Sequence, residues 1–157
     1  MNLDTRIKQA LIDINFVDRY EKLSTYYSQK RTPKGQELDY FDGDFLMEIV
    51  ELLGYKVQYD KRERFFHIEL EEIGHFRFGF HFALEYGRLE LIWVVYEGDK
   101  VVLGSPWTRY PRLMIARDYI IKQPIISDYV DFRDIMKIAF EMYEDFKQVF
   151  LKISKDK

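Results

Sequence analysis

The stretch from His75 to Tyr86 constrains this chain more than any other. Phe76, Phe78, Phe80, Phe82, Leu84 and Tyr86 alternate without a break with His75, Arg77, Gly79, His81, Ala83 and Glu85. Successive side chains of an extended backbone point to opposite faces, so a period of two lays one aromatic row along one side. A helix would scatter the same residues around its circumference. The segment therefore predicts a long strand with one face on a core.

The same period appears on either side of it, first in Tyr55, Val57 and Tyr59, then in Phe66, Ile68 and Leu70. A loop of Glu72, Ile73 and Gly74 pairs Leu70 with Phe76, Ile68 with Phe78 and Phe66 with Phe80. That register sets Glu71 opposite His75, Glu69 opposite Arg77, and His67 opposite Gly79 and diagonal to His81. Gly87-Arg88, read as a type II′ turn, pairs Tyr86 with Leu89, Leu84 with Leu91, Phe82 with Trp93 and Phe80 with Val95. Gly98-Asp99 then sets Glu97 opposite Lys100 and Val95 opposite Val102. The expectation is an antiparallel meander of four to five strands from about Tyr55 to Gly104. It buries Phe66, Phe76, Phe78, Phe80, Phe82, Trp93 and Val95 on one face. Ile92, Val94, Tyr96, Val101 and Leu103 make the other face apolar too. The last helix or the N-terminal helix is the expected cover, a partner protein or second subunit the alternative.

Helical spacing flanks the meander. Ile7, Leu11, Ile14, Val17 and Tyr20 predict an amphipathic helix from Asp4 to about Lys30, broken by the segment around Pro33 and Gly35. Phe41, Phe45, Leu46, Ile49, Leu52 and Leu53 predict a second, closed by Gly54 at its C′ position. After the Gly104-Ser105-Pro106-Trp107-Thr108 turn, Pro111 fits the first turn of a short helix from about Tyr110 to Tyr119. Phe132, Ile135, Ala139, Met142, Phe146, Val149 and Ile153 mark a long C-terminal helix starting near Ser127 or Asp128. The class is α+β, and 157 residues, 47% of them apolar, fit one domain spanning 1–157.

Composition narrows the chemistry. Without cysteine the chain can form neither disulfides nor thiolate metal sites, which suits a reducing compartment. The charged start and the lack of a long apolar run suggest a cytoplasmic protein with no membrane span. A net charge of −3 gives no electrostatic basis for nucleic-acid binding. Glycine-rich phosphate loops, an activated-serine elbow and the paired-histidine helix motif are absent from the sequence, and no cofactor is expected. These features favour a binding protein over an enzyme.

Two sets of residues compete as sites. Glu37, Asp39, Asp42, Asp44, Glu48 and Glu51 form the densest run of like charge, suited to a basic protein partner. Acids near a helix N-terminus also complement its dipole, so the run has a structural explanation as well. Tyr26, Tyr27, Tyr40 and Phe41 nearby favour an interface, since tyrosine anchors are common at interface centres. The partner-binding residues predicted are Glu37, Asp39, Tyr40, Asp42, Asp44, Glu48 and Glu51. The alternative is a metal site on His67, His75, His81 and Glu69, which share the polar face of the first hairpin. Alternation alone forces polar residues onto one face, so cross-strand charge pairs account for most of that grouping. Lys61-Arg62-Glu63-Arg64 reads as a solvated turn, and Arg109, Arg112 and Arg117 as surface charge.

Two N-terminal helices and an aromatic meander, then Leu91-Ile92-Trp93, Gly104-Ser105-Pro106-Trp107 and Arg112-Leu113, resemble immunity proteins of bacterial polymorphic toxin systems. The resemblance covers Phe45 to Leu113. It implies a protein that binds a cognate toxin and blocks its active site without chemistry; the expected state is a monomer or homodimer. It implies no contact residues. The alternative function is a small metal-dependent enzyme or ligand-binding protein using the histidine and glutamate face.

Overall fold

The computed structural model describes residues 2–155. Among them are five α-helices and six strands, all paired antiparallel in one sheet, the α+β arrangement expected. Helices α1 (Thr5–Asp13), α2 (Phe16–Tyr26) and α3 (Gly43–Leu52) precede the sheet. Its strands are β1 (Val57–Asp60), β2 (Phe65–Ile68), β3 (Glu71–Ile73), β4 (Phe76–Glu85), β5 (Arg88–Glu97) and β6 (Lys100–Leu103). They lie in the order β1-β2-β4-β5-β6, with β3 also on β4. A 3₁₀ turn at Trp107–Arg109 leads into α4 (Tyr110–Met114), and α5 (Tyr129–Lys155) ends the fold. No helix among the described residues is long and apolar enough to cross a membrane.

The helix expected from Asp4 to Lys30 is two helices. Asn15 adopts the left-handed conformation, φ 58°, which Asn tolerates better than most residues, and the chain turns there. Ile14 and Phe16 are both buried at the corner, so the apolar periodicity runs through a break it does not report. In α3 the buried stripe is Leu46, Ile49 and Val50, while Leu52 is 87% exposed. Phe45 is partly exposed and meets the Tyr129 ring edge-on at 4.7 Å. Gly54 takes φ 101° just past the helix, as a C′ glycine should. The short helix after the sheet stops at Met114. In α5 the expected seam holds, and Phe150, one residue beyond Val149, reaches the core.

The sheet buries the expected row from Phe66 to Val95, but its register differs. Tyr86 and Gly87, with φ 52° and 74°, form the β4–β5 turn, and both central residues are left-handed as a type I′ turn requires. Glu85 therefore pairs with Arg88, Phe82 with Leu91, Phe80 with Trp93 and Phe78 with Val95. The offset from expectation is two residues, which keeps every side chain on its face. Tyr86 is the exception, 67% exposed in the turn instead of buried.

On the other side Gly74-His75 is a two-residue turn, so Ile73 pairs with Phe76, Glu72 with Arg77 and Glu71 with Phe78. Phe66 pairs with Phe82, and His67 with His81 instead of Gly79. Glu69 and Leu70 leave the ladder between β2 and β3, shifting the pairing by one residue. Leu70 folds across Gly79, where a Cβ would lie 2.8 Å from its Cδ2. The expected pairs Glu71–His75 and Glu69–Arg77 are accordingly not formed. At the last hairpin Glu97 faces Lys100 as expected, but a bulge at Val95/Tyr96 sets Leu103, not Val102, opposite Val95. Leu103 thus joins the core instead of the second face.

All the long helices lie on one side of the sheet. Phe150 packs on Phe76 and Phe78, Phe146 stacks on Trp93 at 4.8 Å, Phe132 meets Phe82, and Phe16 touches Trp93 and Trp107. Neither α1 nor α5 is therefore the cover expected for the second face. There Val94 is buried, Phe65, His67, His81, Ile92 and Tyr96 are half-buried, and Val101 is 58% exposed.

Residues 124–126 stitch the loops to this frame. Ile126 N–H donates to Gly87 C=O at 2.8 Å and Leu89 N–H to Pro124 C=O at 3.0 Å. On its other side Ile125 N–H donates to Tyr27 C=O at 2.8 Å, and Leu38 N–H to Ile126 C=O at 2.9 Å. A backbone segment this buried needs such partners, and it fixes the end of α2 against the start of β5. Gly87 sits under Glu37, whose Cβ would lie 2.4 Å from an added Cβ.

Candidate functional site

The acidic run divides into acids that hold the fold and acids that face solvent. Asp42 is the N-cap of α3, accepting from the backbone N–H of Asp44 at 3.0 Å and of Phe45 at 3.4 Å. Glu37 accepts from Gly35 N–H and from the Gln29 amide at 3.0 Å. Those bonds, the Gly35 backbone first, hold its carboxyl below the usual carboxylate range. Asp39, Asp44, Glu48 and Glu51 are exposed, and Tyr40 is 94% exposed.

Beside this rim lies a groove of about 670 Å³ between α3 and β1. Phe41, Met47, Val57, Tyr59 and Phe66 supply apolar lining, with Asp44 on one side and Lys61 on the other. Phe41 and Tyr59 sit against the buried Phe66 ring at 6.3 and 4.7 Å, so the floor is continuous with the core. Tyr26 and Tyr27 are not part of it. They clasp the Arg31 guanidinium, 4.5 and 5.0 Å from their ring centres, and Arg31 pairs with the buried Asp131 carboxylate at 2.9 Å.

The histidine face is only half assembled. His67 and His81 are cross-strand neighbours with ring centres 5.9 Å apart, and Phe65 stacks on His81 at 4.6 Å. Burial first, and then the adjacent His67, lower the His81 pKa from 6.5 to about 4. His75 lies exposed in the β3–β4 turn and Glu69 is exposed in the break after β2. Among the described residues no group of three or more His, Asp or Glu side chains is placed to hold a metal ion.

Comparisons with family models, curated proteins and solved structures find no match. Of the residues that carry the resemblance to immunity proteins, Leu91, Trp93 and Trp107 are core residues. Trp93 and Trp107 are fully buried with ring centres 5.0 Å apart, and Pro106 bridges to Ile92. The Tyr110 hydroxyl accepts from Trp93 N–H at 3.3 Å and donates to Ser105 C=O at 2.8 Å, closing the edge of β5 beyond β6. That motif mainly shapes the frame, although Pro106 and Arg112 reach the surface.

One assembly escaped the sequence reading. Arg109 and Arg112, read as surface charge, converge with Lys30, Arg88 and Lys122 on a cleft of about 1010 Å³. Arg117 does not line it; its C=O accepts from Arg112 Nε at 2.9 Å. The five cations are spread over 92 positions of sequence between Lys30 and Lys122, so no local spacing announces them.

Proposed function

We propose that the protein is a non-catalytic binding protein that occludes a basic protein partner, in the manner of an immunity protein acting on its cognate toxin. The α3–β1 groove carries this reading: an apolar floor with Asp44 on its α3 side, further exposed acids along that helix, and a neighbouring tyrosine that is 94% exposed. An apolar floor offers the dry centre on which interface energy concentrates. The acids on α3 speed encounter with a cation-rich surface and discriminate against acidic partners. Asp44, Glu48, Glu51 and Tyr40 are the contact residues of this reading, joined by Asp39, whereas Asp42 and Glu37 act through the loop and helix that they hold. The reading as a metal-dependent enzyme or ligand-binding protein rests on less, because only His67 and His81 of its four residues come together.

Co-expression with the products of the neighbouring genes tests the proposal. The expected result is rescue of growth and co-purification of the pair, both weakened about tenfold or more by Tyr40→Ala with Glu48→Lys. Either no binding to any neighbouring gene product, or full protection by a folded Tyr40→Ala/Glu48→Lys variant, overturns it.

A further inference from the structure

The cleft of five cations lies outside the groove just described and shares no lining residue with it. Four pieces of chain build it. The end of α2 and the following turn bring Lys30, the start of β5 brings Arg88, and the 3₁₀ turn with α4 brings Arg109 and Arg112. Lys122 comes from the segment that precedes the stitched residues 124–126, so the same backbone bonds that fix the loops fix the cleft. In a chain of net charge −3 this is a concentrated reversal of sign.

None of the five forms a salt bridge with a carboxylate among the described residues; every ion pair of the fold uses other cations. No Asp or Glu lines the cleft. The acids around it include Glu85, opposite Arg88 in the β4–β5 register, Glu37, held by Gln29, and Glu90, which accepts from the Gln123 amide at 3.2 Å. Glu37 also feels the charge of Arg88. Converging like charges repel one another, and a bound anion relieves that repulsion while gaining charge-assisted hydrogen bonds. Ser24, Thr25, Ser28 and Thr108 add hydroxyl donors to the lining. Guanidinium groups match the oxygens of a phosphate with paired donors, and three of the five cations are arginines.

The walls are not all polar. Ile120, Ile121, Ile125 and Pro106 line the same space, and Ile120 is 74% exposed. The volume is at the upper end of what small-molecule sites occupy and too small for a nucleic-acid helix. We propose that this cleft binds a small phosphorylated molecule of nucleotide size, its phosphates on Arg88, Arg109, Arg112, Lys30 and Lys122 and its less polar body against the isoleucines. The proposal is independent of the groove and stands if the partner reading fails.

Isothermal titration of the full chain with ATP, inorganic tripolyphosphate and citrate, at low and physiological salt, tests it. The expected result is saturable one-to-one binding of ATP and tripolyphosphate, weakening with salt. ATP is expected to bind the more tightly because of its apolar contacts, and citrate at least about tenfold more weakly than tripolyphosphate. Arg109→Ala/Arg112→Ala, both exposed positions, should reduce ATP affinity about tenfold or more with an unchanged melting temperature. Amide shifts of the wild-type chain should cluster at residues 30, 88, 109 and 122, which tests the site even if the double variant folds poorly. Several results overturn the proposal: no saturable phosphate binding, citrate binding as well as tripolyphosphate, shifts confined elsewhere, or binding of a single-stranded oligonucleotide alone.

Discussion

Single residues here often serve the fold where sequence alone suggested a site. Asp42 is spent on capping α3 and Glu37 on its loop. His81 differs, because its surroundings change its chemistry. With a folded pKa near 4 against 6.5 unfolded, the unfolded chain takes up a proton between those values and the folded chain does not. Stability is then full above pH 6.5 and falls as pH drops toward 4. The loss attributable to this residue, reduced by the solvent that still reaches the ring, should be about 1 kcal/mol by pH 5. His81→Phe, which keeps an aromatic ring against Phe65, should flatten that part of the curve in urea unfolding at pH 7 and pH 5. An identical loss in variant and wild type would show that His81 is not the titrating group.

At the scale of elements, the contact between α5 and the start of β3 turns on a buried lysine. Lys147 Nζ bonds the Glu71 carboxylate and lies 3.0 Å from Glu144, with the Tyr143 ring 4.4 Å away. Glu144 also accepts from the Tyr55 hydroxyl at 2.7 Å, and burial followed by that bond holds Tyr55 protonated well above its ordinary range. Both carboxylates are half exposed while Lys147 is 4% exposed, so the lysine bears most of the desolvation. Lys147→Met should leave stability within about 1 kcal/mol of wild type, since an apolar chain of similar length fills the site. Glu71→Ala/Glu144→Ala leaves the buried cation alone and should cost about 2 kcal/mol or more. Denaturant midpoints decide it, and a Lys147→Met loss larger than that of the double variant refutes this account. Glu71 could not have been matched to Lys147 from sequence, because 76 residues separate them and the expected register set Glu71 beside His75.

For the whole molecule, the buried apolar residues of α1, α2, α3, the sheet, α4 and α5 form a contiguous cluster. Trp93 and Trp107 stand near its centre, in contact with Phe16, Tyr110 and Phe146. A shared core predicts one cooperative transition. Tryptophan fluorescence, which reports the centre, and far-ultraviolet circular dichroism, which reports the helices, should give coincident curves in urea. Separate midpoints would mean that part of the chain unfolds independently. At this scale charge is also segregated: acids gather on α3, cations in the cleft floored by residues 120–125.

Much of the frame was legible because it depends on local periodicity. The alternation from Phe76 to Leu84 had to be a strand over a core, and the seam from Phe132 to Phe146 had to be a helix against it. Faces survived the wrong register because the two-residue offset preserves alternation. What remained hidden depended on distance through space: the left-handed break at Asn15, the Leu70 fold over Gly79, the ion pair of Glu71 with Lys147, and a second face that no long helix covers. The phosphate cleft belongs with these. Its cations carry no local signature, and only the packing of α2, β5, α4 and the 120–125 segment turns scattered surface charge into a concave site.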